Sequence, residues 1–254
     1  MRPGAVGGTS PLLRYADMGE GYGRHIIEEM VARLCSVELA CDIGAGPGED
    51  LAIVRGRFPG ARLVAFDCTD RYGQILKEAG CESQVLDVER HQFPLEDDTV
   101  DLFIANQVLE HVKELFWVWH QICSKLHIGG HVIVGVPNIC ALPNRITFLF
   151  GKQPCQMKSY SAHVRGFAPG EIPRFLSVCF PGGFHLELFR GAQFYPFPRG
   201  IARVFARLFP RFAHVNFYLL RKVRGYSGEF LSHPAEAHLE TPFVFGESAR
   251  ASGT

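Results

Sequence analysis

The chain lacks the features that would assign it to a membrane, secreted or nucleic-acid-binding class. Its 254 residues contain no apolar run approaching the roughly 18 residues of a membrane span. The first thirty residues have no apolar stretch of the kind found in a secretory signal peptide. Basic and acidic residues balance, 26 against 26, so net charge gives no reason to expect nucleic acid as a partner. We therefore expect a cytoplasmic protein.

Paired cysteine motifs are also absent. None of the eight cysteines forms a C-x-x-C pair, and the spacing of cysteine and histidine does not fit a zinc site. Several cysteines lie in apolar segments, where a free thiol behaves as a small hydrophobic side chain. We therefore predict reduced thiols and no bound metal in a cytosolic protein.

Glycine is concentrated where an apolar strand passes into a helix. Residues 39–51 read LACDIGAGPGEDL, with Gly44, Gly46 and Gly48 at alternate positions after Asp42. Glycine has no Cβ, so such a turn can adopt positive φ and allow a ligand to lie on its backbone. A helix that starts near Glu49 would direct its first N–H groups at that ligand. The segment predicts a nucleotide-type site.

Two common nucleotide motifs do not fit this turn. The dinucleotide pattern G-x-G-x-x-G would need glycine at position 49, which is Glu49, and no Gly-Lys-Ser/Thr follows as in a P-loop. The pattern Asp-x-Gly-x-Gly-x-Gly instead resembles motif I of the class I S-adenosylmethionine (SAM)-dependent methyltransferases, in particular the small-molecule type 11/23 group. The resemblance implies that the turn holds SAM through Asp42, Gly44, Ala45, Gly46 and Gly48.

A second acidic strand end follows 25 residues after Asp42. Residues 62–67 read RLVAFD, a buried strand that ends in Asp67. A carboxylate at this position can accept hydrogen bonds from both ribose hydroxyls. Asp70 is the rival, but we expect it to cap the next helix, since aspartate is a preferred N-cap residue. Asp67 is therefore the predicted ribose ligand, and Cys68 is expected to line the same pocket.

Two further strand ends complete the resemblance. Residues 84–88 read QVLDV, and the family likeness implies that Asp87 and Val88 contact adenine. Residues 101–105 form another expected strand, and Asn106 and Gln107 stand at its carboxyl end, where ligands bind in open α/β sheets. The likeness implies that these two residues also contact SAM. It also implies a helix starting near His111.

The order of elements predicts an α/β fold. Strands expected near 39–43, 62–67, 84–88, 101–105 and 131–136 alternate with helices, which implies a doubly wound, mostly parallel sheet of Rossmann-like type. The family resemblance implies seven strands, with an antiparallel last strand between the fifth and sixth. We expect a single SAM-dependent methyltransferase domain over residues 1–230 and a loosely ordered tail over residues 231–254.

The segment at about 138–168 is predicted to be a lid over the acceptor substrate. It leaves the carboxyl edge of the sheet, and connections of this length are usually functional. The alternative is an ordinary surface loop. His163 in this segment and His111 after the fourth strand are the candidate general bases, since histidine has an unperturbed pKa of about 6.5. His111 has the alternative role of orienting its loop.

A basic tract lies near the end of the chain. No Asp or Glu occurs from Leu188 to Gly228, and four arginines recur every four residues from 199 to 211. These arginines are Arg199, Arg203, Arg207 and Arg211. One hypothesis is peripheral contact with anionic lipid or with a phosphorylated substrate. The alternative is a surface helix whose charged face is solvated.

Together these signals predict a SAM-dependent methyltransferase that moves a methyl group to a small-molecule acceptor, through an oxygen atom. Two other classes stay open. One is a nucleotide-dependent oxidoreductase or epimerase on a related sheet, against which the glycine spacing argues. The other is a catalytically silent SAM-binding partner protein. The sequence does not identify the acceptor.

Overall fold

The structure, a computed structural model, describes residues 21–246. Within this range the chain forms one seven-stranded sheet with helices on both faces. The strands are β1 Leu39–Ile43, β2 Arg62–Asp67, β3 Glu82–Val85, β4 Val100–Asn106, β5 Leu126–Pro137, β6 Phe184–Ala192 and β7 Val215–Lys222. The α-helices are α1 Arg24–Val31, α2 Glu49–Arg57, α3 Gly73–Glu78, α4 Leu115–Lys125, α5 Leu142–Leu149, α6 Glu171–Cys179, α7 Arg199–Leu208 and α8 Glu229–Glu236.

Two hydrophobic clusters cover the two faces of the sheet. Successive strand residues point to opposite faces, so Ala40 packs in the cluster beneath α1 and α2 while Cys41 packs in the cluster beneath α4, α6 and α8. All five residues of β1 are buried, as expected for a strand covered on both sides. A third, smaller cluster joins α5 and α7.

The strand order β3-β2-β1-β4-β5-β7-β6 and the antiparallel β7 confirm the predicted Rossmann-like methyltransferase architecture. β7 pairs antiparallel with β5 on one side and β6 on the other, for example through Ile133 opposite Leu219. The order reverses between β1 and β4. Because ligands of open α/β sheets bind at this reversal, the carboxyl ends of β1 and β4 mark the site.

Helix α2 begins directly at the glycine turn. Its N-cap is Gly48, and Glu49 and Asp50 occupy the first turn, where the helix dipole favours negative charge. Arg55 and Arg57 occupy the last turn, which is the complementary arrangement. The sequence pattern therefore orients the positive end of α2 towards the carboxyl edge of the sheet.

Three local expectations are wrong. β3 ends at Val85, so Asp87 and Val88 follow the strand in a turn. His111 lies in a turn, because the helix that follows β4 is α4, which begins at Leu115. Helix α8 extends past the expected start of the loosely ordered tail, because Phe230 packs against Trp119 in the core.

Residues 1–20 and 247–254, which include the outer parts of the predicted domain and tail, lie outside the described residues. Between residues 21 and 246, no helix combines the length and the apolarity needed to cross a membrane.

Candidate active site

The glycine turn lies between β1 and α2 at the carboxyl edge of the sheet. Gly44, Gly46 and Gly48 have φ values of 73°, 52° and 82°, a region that side chains with a Cβ rarely adopt. A Cβ on Gly44 would lie 2.4 Å from Val108 Cγ2, so the turn touches the segment after β4. A Cβ on Gly46 would meet no described atom within 4 Å. The turn therefore presents an accessible backbone face.

Hydrogen bonds join this turn to the end of β2. The N–H groups of Gly44 and Ala45 both donate to the Phe66 carbonyl, over 2.8 and 3.0 Å. The N–H of Gly46 donates to Asp67 Oδ2 over 3.1 Å. The structure therefore brings the predicted ribose ligand to the predicted SAM turn.

The neighbours of Asp67 differ in their placement. Cys68 follows it with an exposed side chain at the same edge. Asp70 is also exposed, but it does not cap α3 as expected, because α3 begins at Gly73 with Tyr72 at its N-cap position. Asp67 is the one of the two aspartates that contacts the glycine turn.

Asp87 and Val88 lie next to the end of β2, although they follow β3. The N–H of Leu86 donates to the Asp67 carbonyl over 2.8 Å, which holds this turn beside Asp67. The Asp87 carboxylate accepts a hydrogen bond from the Glu89 N–H over 3.0 Å. Val88 is half-buried against the core. Both residues therefore lie near Asp67, and the Asp87 carboxylate is hydrogen bonded within its own turn.

A buried carboxylate that the sequence analysis missed links three elements. Asp50 Oδ1 accepts a hydrogen bond from Arg24 Nε, and its Oδ2 accepts one from Asn106 Nδ2, each over 2.9 Å. Burial raises the pKa of Asp50, while the bonds from Asn106 and Arg24 oppose that rise. Burial, followed by the nearby Asp50, also raises the pKa of Asp42 well above its usual value. The position of Asp50 in the first turn of α2 was the available signal.

The predicted amides at the end of β4 carry unsatisfied polar atoms. Within residues 21–246, neither Asn106 Oδ1 nor Gln107 Nε2 has a hydrogen-bond partner, although both atoms are buried. Gln107 has φ of 59°, and its N–H donates to the Gly135 carbonyl over 2.8 Å. Buried amide atoms are nearly always paired, so unpaired ones at a sheet's carboxyl edge indicate groups that a ligand satisfies.

A carboxylate and two histidines come together next to these amides. The ligand atoms of Glu110, His111 and His163 all lie within 4.8 Å of one another. The two imidazole rings meet edge to face, with centroids 4.8 Å apart. Glu110 is buried, and neither carboxylate oxygen is hydrogen bonded to another described residue. Sequence analysis named both histidines but missed Glu110, which directly precedes His111.

Burial favours the neutral forms of two members of this cluster, Glu110 and His163. Burial raises the pKa of Glu110 to about 8. Burial, then the proximity of His111, lowers the pKa of His163. His111 Nδ1 lies 3.1 Å from the Ala162 carbonyl, which can only accept, so Nδ1 carries a proton in this contact. The cluster therefore combines a carboxyl that burial keeps protonated with two imidazole rings.

The predicted lid is fastened to the turn that carries this cluster. The N–H groups of Val164 and Arg165 donate to the Glu110 carbonyl, over 2.9 and 3.3 Å. The Arg165 guanidinium donates to the carbonyls of Val112 and Lys113, over 2.9 and 2.8 Å. These bonds bring His163 to His111 across 52 residues of sequence.

A buried amide network fastens the other end of the same segment. Asn138 Nδ2 donates to the Ala213 carbonyl over 2.7 Å, and Asn144 Nδ2 donates to the Asn138 carbonyl over 3.0 Å. Asn144 Nδ2 also donates to Gln156 Oε1 over 3.1 Å, and the Gln156 amide lies 3.0 Å from His214 Nε2. Burial lowers the pKa of His214 to about 4, so this ring is neutral. The segment therefore has a defined structure over the carboxyl edge.

Residues 41–134 match a family model described as a methyltransferase domain. Among curated relatives, trans-aconitate 2-methyltransferase from Enterobacter sp. (strain 638) is 23% identical, with 66% of this chain and 65% of that protein aligned. An uncharacterized 37.1 kDa protein in transposon TN4556 from Streptomyces fradiae is 26% identical over 50% of this chain and 37% of that protein. The chain thus spans less than two thirds of either relative's length.

The fold is similar to that of Burkholderia thailandensis 1,6-didemethyltoxoflavin-N1-methyltransferase, solved with S-adenosylhomocysteine. The two share 16% identity, with a TM-score of 0.55 over 87% of this chain and 94% of that one. The family model identifies residues 41–134 as a methyltransferase domain, and the strand order shows the fold of the class I SAM-dependent methyltransferases. SAM is the cofactor of that family, and the open backbone at Gly46 and the unpaired amide atoms fit it.

The raised pKa of Glu110 predicts a pH-dependent stability. Between about pH 4.5 and about pH 8 the folded protein keeps a proton on Glu110 that the unfolded chain releases. The free energy of unfolding should therefore fall with rising pH by about 1.4 kcal/mol per pH unit from this group, a trend absent in Glu110→Gln. Urea unfolding at pH 5, 6, 7 and 8 measures it, with Glu28→Gln as the exposed-carboxyl control. Parallel curves for the wild type and Glu110→Gln would show that Glu110 is not desolvated.

Proposed function

We propose that this protein transfers the methyl group of SAM to an oxygen atom of a small-molecule acceptor. The observation that carries this proposal is the cluster of Glu110, His111 and His163 at the carboxyl edge, in which burial favours the neutral forms of Glu110 and His163. A hydroxyl acceptor has to lose a proton as its oxygen becomes methylated, and an uncharged imidazole can accept that proton. Nitrogen and carbon acceptors are the alternatives that a product analysis would reveal.

The residues that would hold SAM lie along three strand ends. SAM supplies an electrophilic methyl group on a sulfonium, so the protein's task is mainly alignment and proximity. The glycine turn supplies an accessible backbone, and Asp67 supplies a carboxylate for the ribose. Asp87, Val88 and Cys68 line the adenine side, while Asn106 and Gln107 offer unpaired amide atoms. Asp42 is buried in β1, two residues before Gly44.

Replacing Asp67 should separate the two candidate ribose ligands. Asp67→Ala removes charge-assisted hydrogen bonds, so SAM binding should weaken by about 1.5–3 kcal/mol. Asp70→Ala is the matched control, because Asp70 is exposed and does not contact the glycine turn. Calorimetric titration with SAM and S-adenosylhomocysteine gives the affinities, and NAD should not bind. Weakening in Asp70→Ala alone would assign the ribose to Asp70.

The proton of the acceptor should leave through His111. Its Nδ1–H is held by the Ala162 carbonyl, which orients Nε2, and its side chain is 43% exposed and so open to a substrate. His163 packs edge-on against this ring and fixes its position. Glu110 is the third member of the cluster, and its Oε1 lies 4.0 Å from His111 Nε2.

Loss of the base should appear in the pH dependence of turnover. His111→Gln should lower kcat by about a hundredfold and flatten the pH–rate profile near neutrality. His163→Gln should lower kcat less and keep the profile, while His185→Gln, an exposed histidine on β6, should change neither.

The same measurement in the presence of a chelator tests a competing role for the cluster. Its three ligand atoms are close enough to suggest metal binding, whereas we propose that it acts without metal. Turnover that a chelator abolishes and a divalent cation restores would contradict the base role.

The segment from 138 to 168 is proposed to act as the lid over the acceptor. It contributes His163 to the cluster, and Arg165 fastens it to the turn after β4. Lids complete catalytic geometry and exclude water from the reacting atoms.

Loosening the lid should reduce turnover without affecting SAM. Arg165→Met removes the bonds to Val112 and Lys113, so we expect kcat to fall about ten- to hundredfold while SAM affinity stays the same. Hydrogen exchange over residues 139–168 should rise in the same variant. Arg174→Met, at an exposed position of α6, is the control. Full turnover together with faster exchange would show that lid closure is not needed for the reaction.

The oxidoreductase or epimerase alternative has little support. Tyr218 and Lys222 have the Tyr-x-x-x-Lys spacing of some such enzymes, but they lie on strand β7. The Lys222 ammonium is buried and donates to the carbonyls of Cys123 and Leu126, while the Tyr218 hydroxyl accepts a hydrogen bond from the Gly170 N–H. Lys222 therefore has a structural role. A catalytically silent SAM-binding protein is the remaining alternative, which the turnover measurements address.

A further inference from the structure

Two segments without any acidic residue are separated by residues 171–187. No Asp or Glu occurs from Asn138 to Gly170, and none occurs from Leu188 to Gly228. The first segment contains helix α5 and the second contains helix α7. All 26 acidic residues lie in other parts of the chain, so negative charge is unevenly distributed although the net charge is zero.

The fold brings these two segments together at the carboxyl edge of the sheet. Leu142 at the start of α5 packs in the same cluster as Ala202 and Ala206 of α7. Asn138 Nδ2 donates to the Arg211 carbonyl over 3.1 Å, and the Arg145 guanidinium lies 4.5 Å from the centroid of the Phe212 ring. Residues 145–152 and 199–212 therefore form one continuous surface, which we call the α5–α7 surface.

Helix α7 packs Ala202, Phe205 and Ala206 against the protein and exposes its other large apolar residues. Ala202 and Ala206 face the protein, whereas the side chains of Val204 and Leu208 are 55% and 66% exposed. An ordinary surface helix has the opposite pattern, with its large apolar residues facing the core. The exposed face of α7 therefore contains apolar side chains as well as arginines.

Helix α5 extends the same exposed apolar area. Leu149 is 84% exposed and Phe150 is 76% exposed at its end. Arg145 and Lys152 flank them and are also exposed. Large apolar side chains that cluster on a surface indicate a binding partner, because single ones are common but groups are not.

We propose that the α5–α7 surface docks on an anionic lipid bilayer. Exposed arginines at 199, 203, 207 and 211 alternate with exposed apolar side chains, which is the composition of an interfacial helix. The complete lack of carboxylates in both segments removes repulsion from anionic headgroups. A nucleic-acid backbone would contact the arginines but leave Leu149, Phe150 and Leu208 in water. The bilayer is the partner that uses both sets of groups.

Docking in this orientation concerns the acceptor as well, a point that rests on the proposed function. Helix α5 lies within the proposed lid, so the lid itself would lie against the headgroups. The acceptor would then be an amphiphile that enters from the membrane.

The test is flotation of the full chain with phosphatidylcholine vesicles that contain or lack phosphatidylglycerol. The protein should float only with the anionic vesicles, and salt should weaken this binding through screening. Arg199→Gln combined with Arg203→Gln should lower partitioning about twenty-five-fold, about fivefold for each arginine. Leu149→Ser combined with Phe150→Ser should lower it further at high salt, where apolar insertion remains.

Matched controls come from the opposite edge of the sheet. One control combines Arg33→Gln with Arg57→Gln, and a second is Ile128→Ser. All three residues are exposed: Arg33 lies before β1, Arg57 before β2, and Ile128 near the start of β5. These controls should float like the wild type. SAM affinity, measured in every variant, should be unchanged, so that loss of docking and failure of the proposed function are distinguished.

Three outcomes would overturn the proposal. The wild type could fail to float with anionic vesicles, or the controls could reduce flotation as strongly as the α5–α7 variants. Sedimentation could also show that Leu149→Ser with Phe150→Ser dissociates a dimer while flotation is unaffected, which would identify the surface as an interface between copies of this chain.

Discussion

The buried carboxylate of Asp50 is the interaction on which the site depends. It ties Arg24 on α1 and Asn106 at the end of β4 to the first turn of α2, across the point where the strand order reverses. The pKa of Asp50 is raised because the desolvation caused by burial outweighs the hydrogen bonds from Asn106 and Arg24. Removing one partner of such a buried pair typically costs about 3–5 kcal/mol. The glycine turn and the amides of β4 keep their mutual positions through this contact.

The cluster of Glu110, His111 and His163 also depends on contacts between segments that are distant in sequence. Glu110 and His111 come from the turn after that strand, and His163 comes from the segment after β5. The Arg165 guanidinium donates to the Val112 carbonyl, and the backbone N–H groups of Val164 and Arg165 donate to the Glu110 carbonyl, so these bonds join the two segments. The proposed base and the proposed lid are therefore parts of one arrangement, because the lid is hydrogen bonded to the turn that contains His111.

The α5–α7 surface includes part of the proposed lid. The amide network around Asn138 and Asn144 holds the start of the lid against the backbone at Arg211 and Ala213. Lid and basic helix consequently share one cluster and one exposed face. Our proposals for the acceptor and for the bilayer thus concern neighbouring parts of the same edge, with the cofactor turn on one side and the lipid surface on the other.

Local patterns by themselves determined most of the fold: the apolar runs of β1, β2 and β4, the glycine turn and the acidic end of β2 are each written in a few consecutive residues, and the family resemblance added the antiparallel β7. The shift of β3, the turn at His111, the helix α8, the role of Asp50 and the meeting of Glu110 with His163 appeared only in the tertiary structure. So did the union of the two acid-free segments. Periodicity and turn chemistry act between residues near in sequence, whereas side-chain neighbours across the sheet depend on strand order and on burial against distant segments.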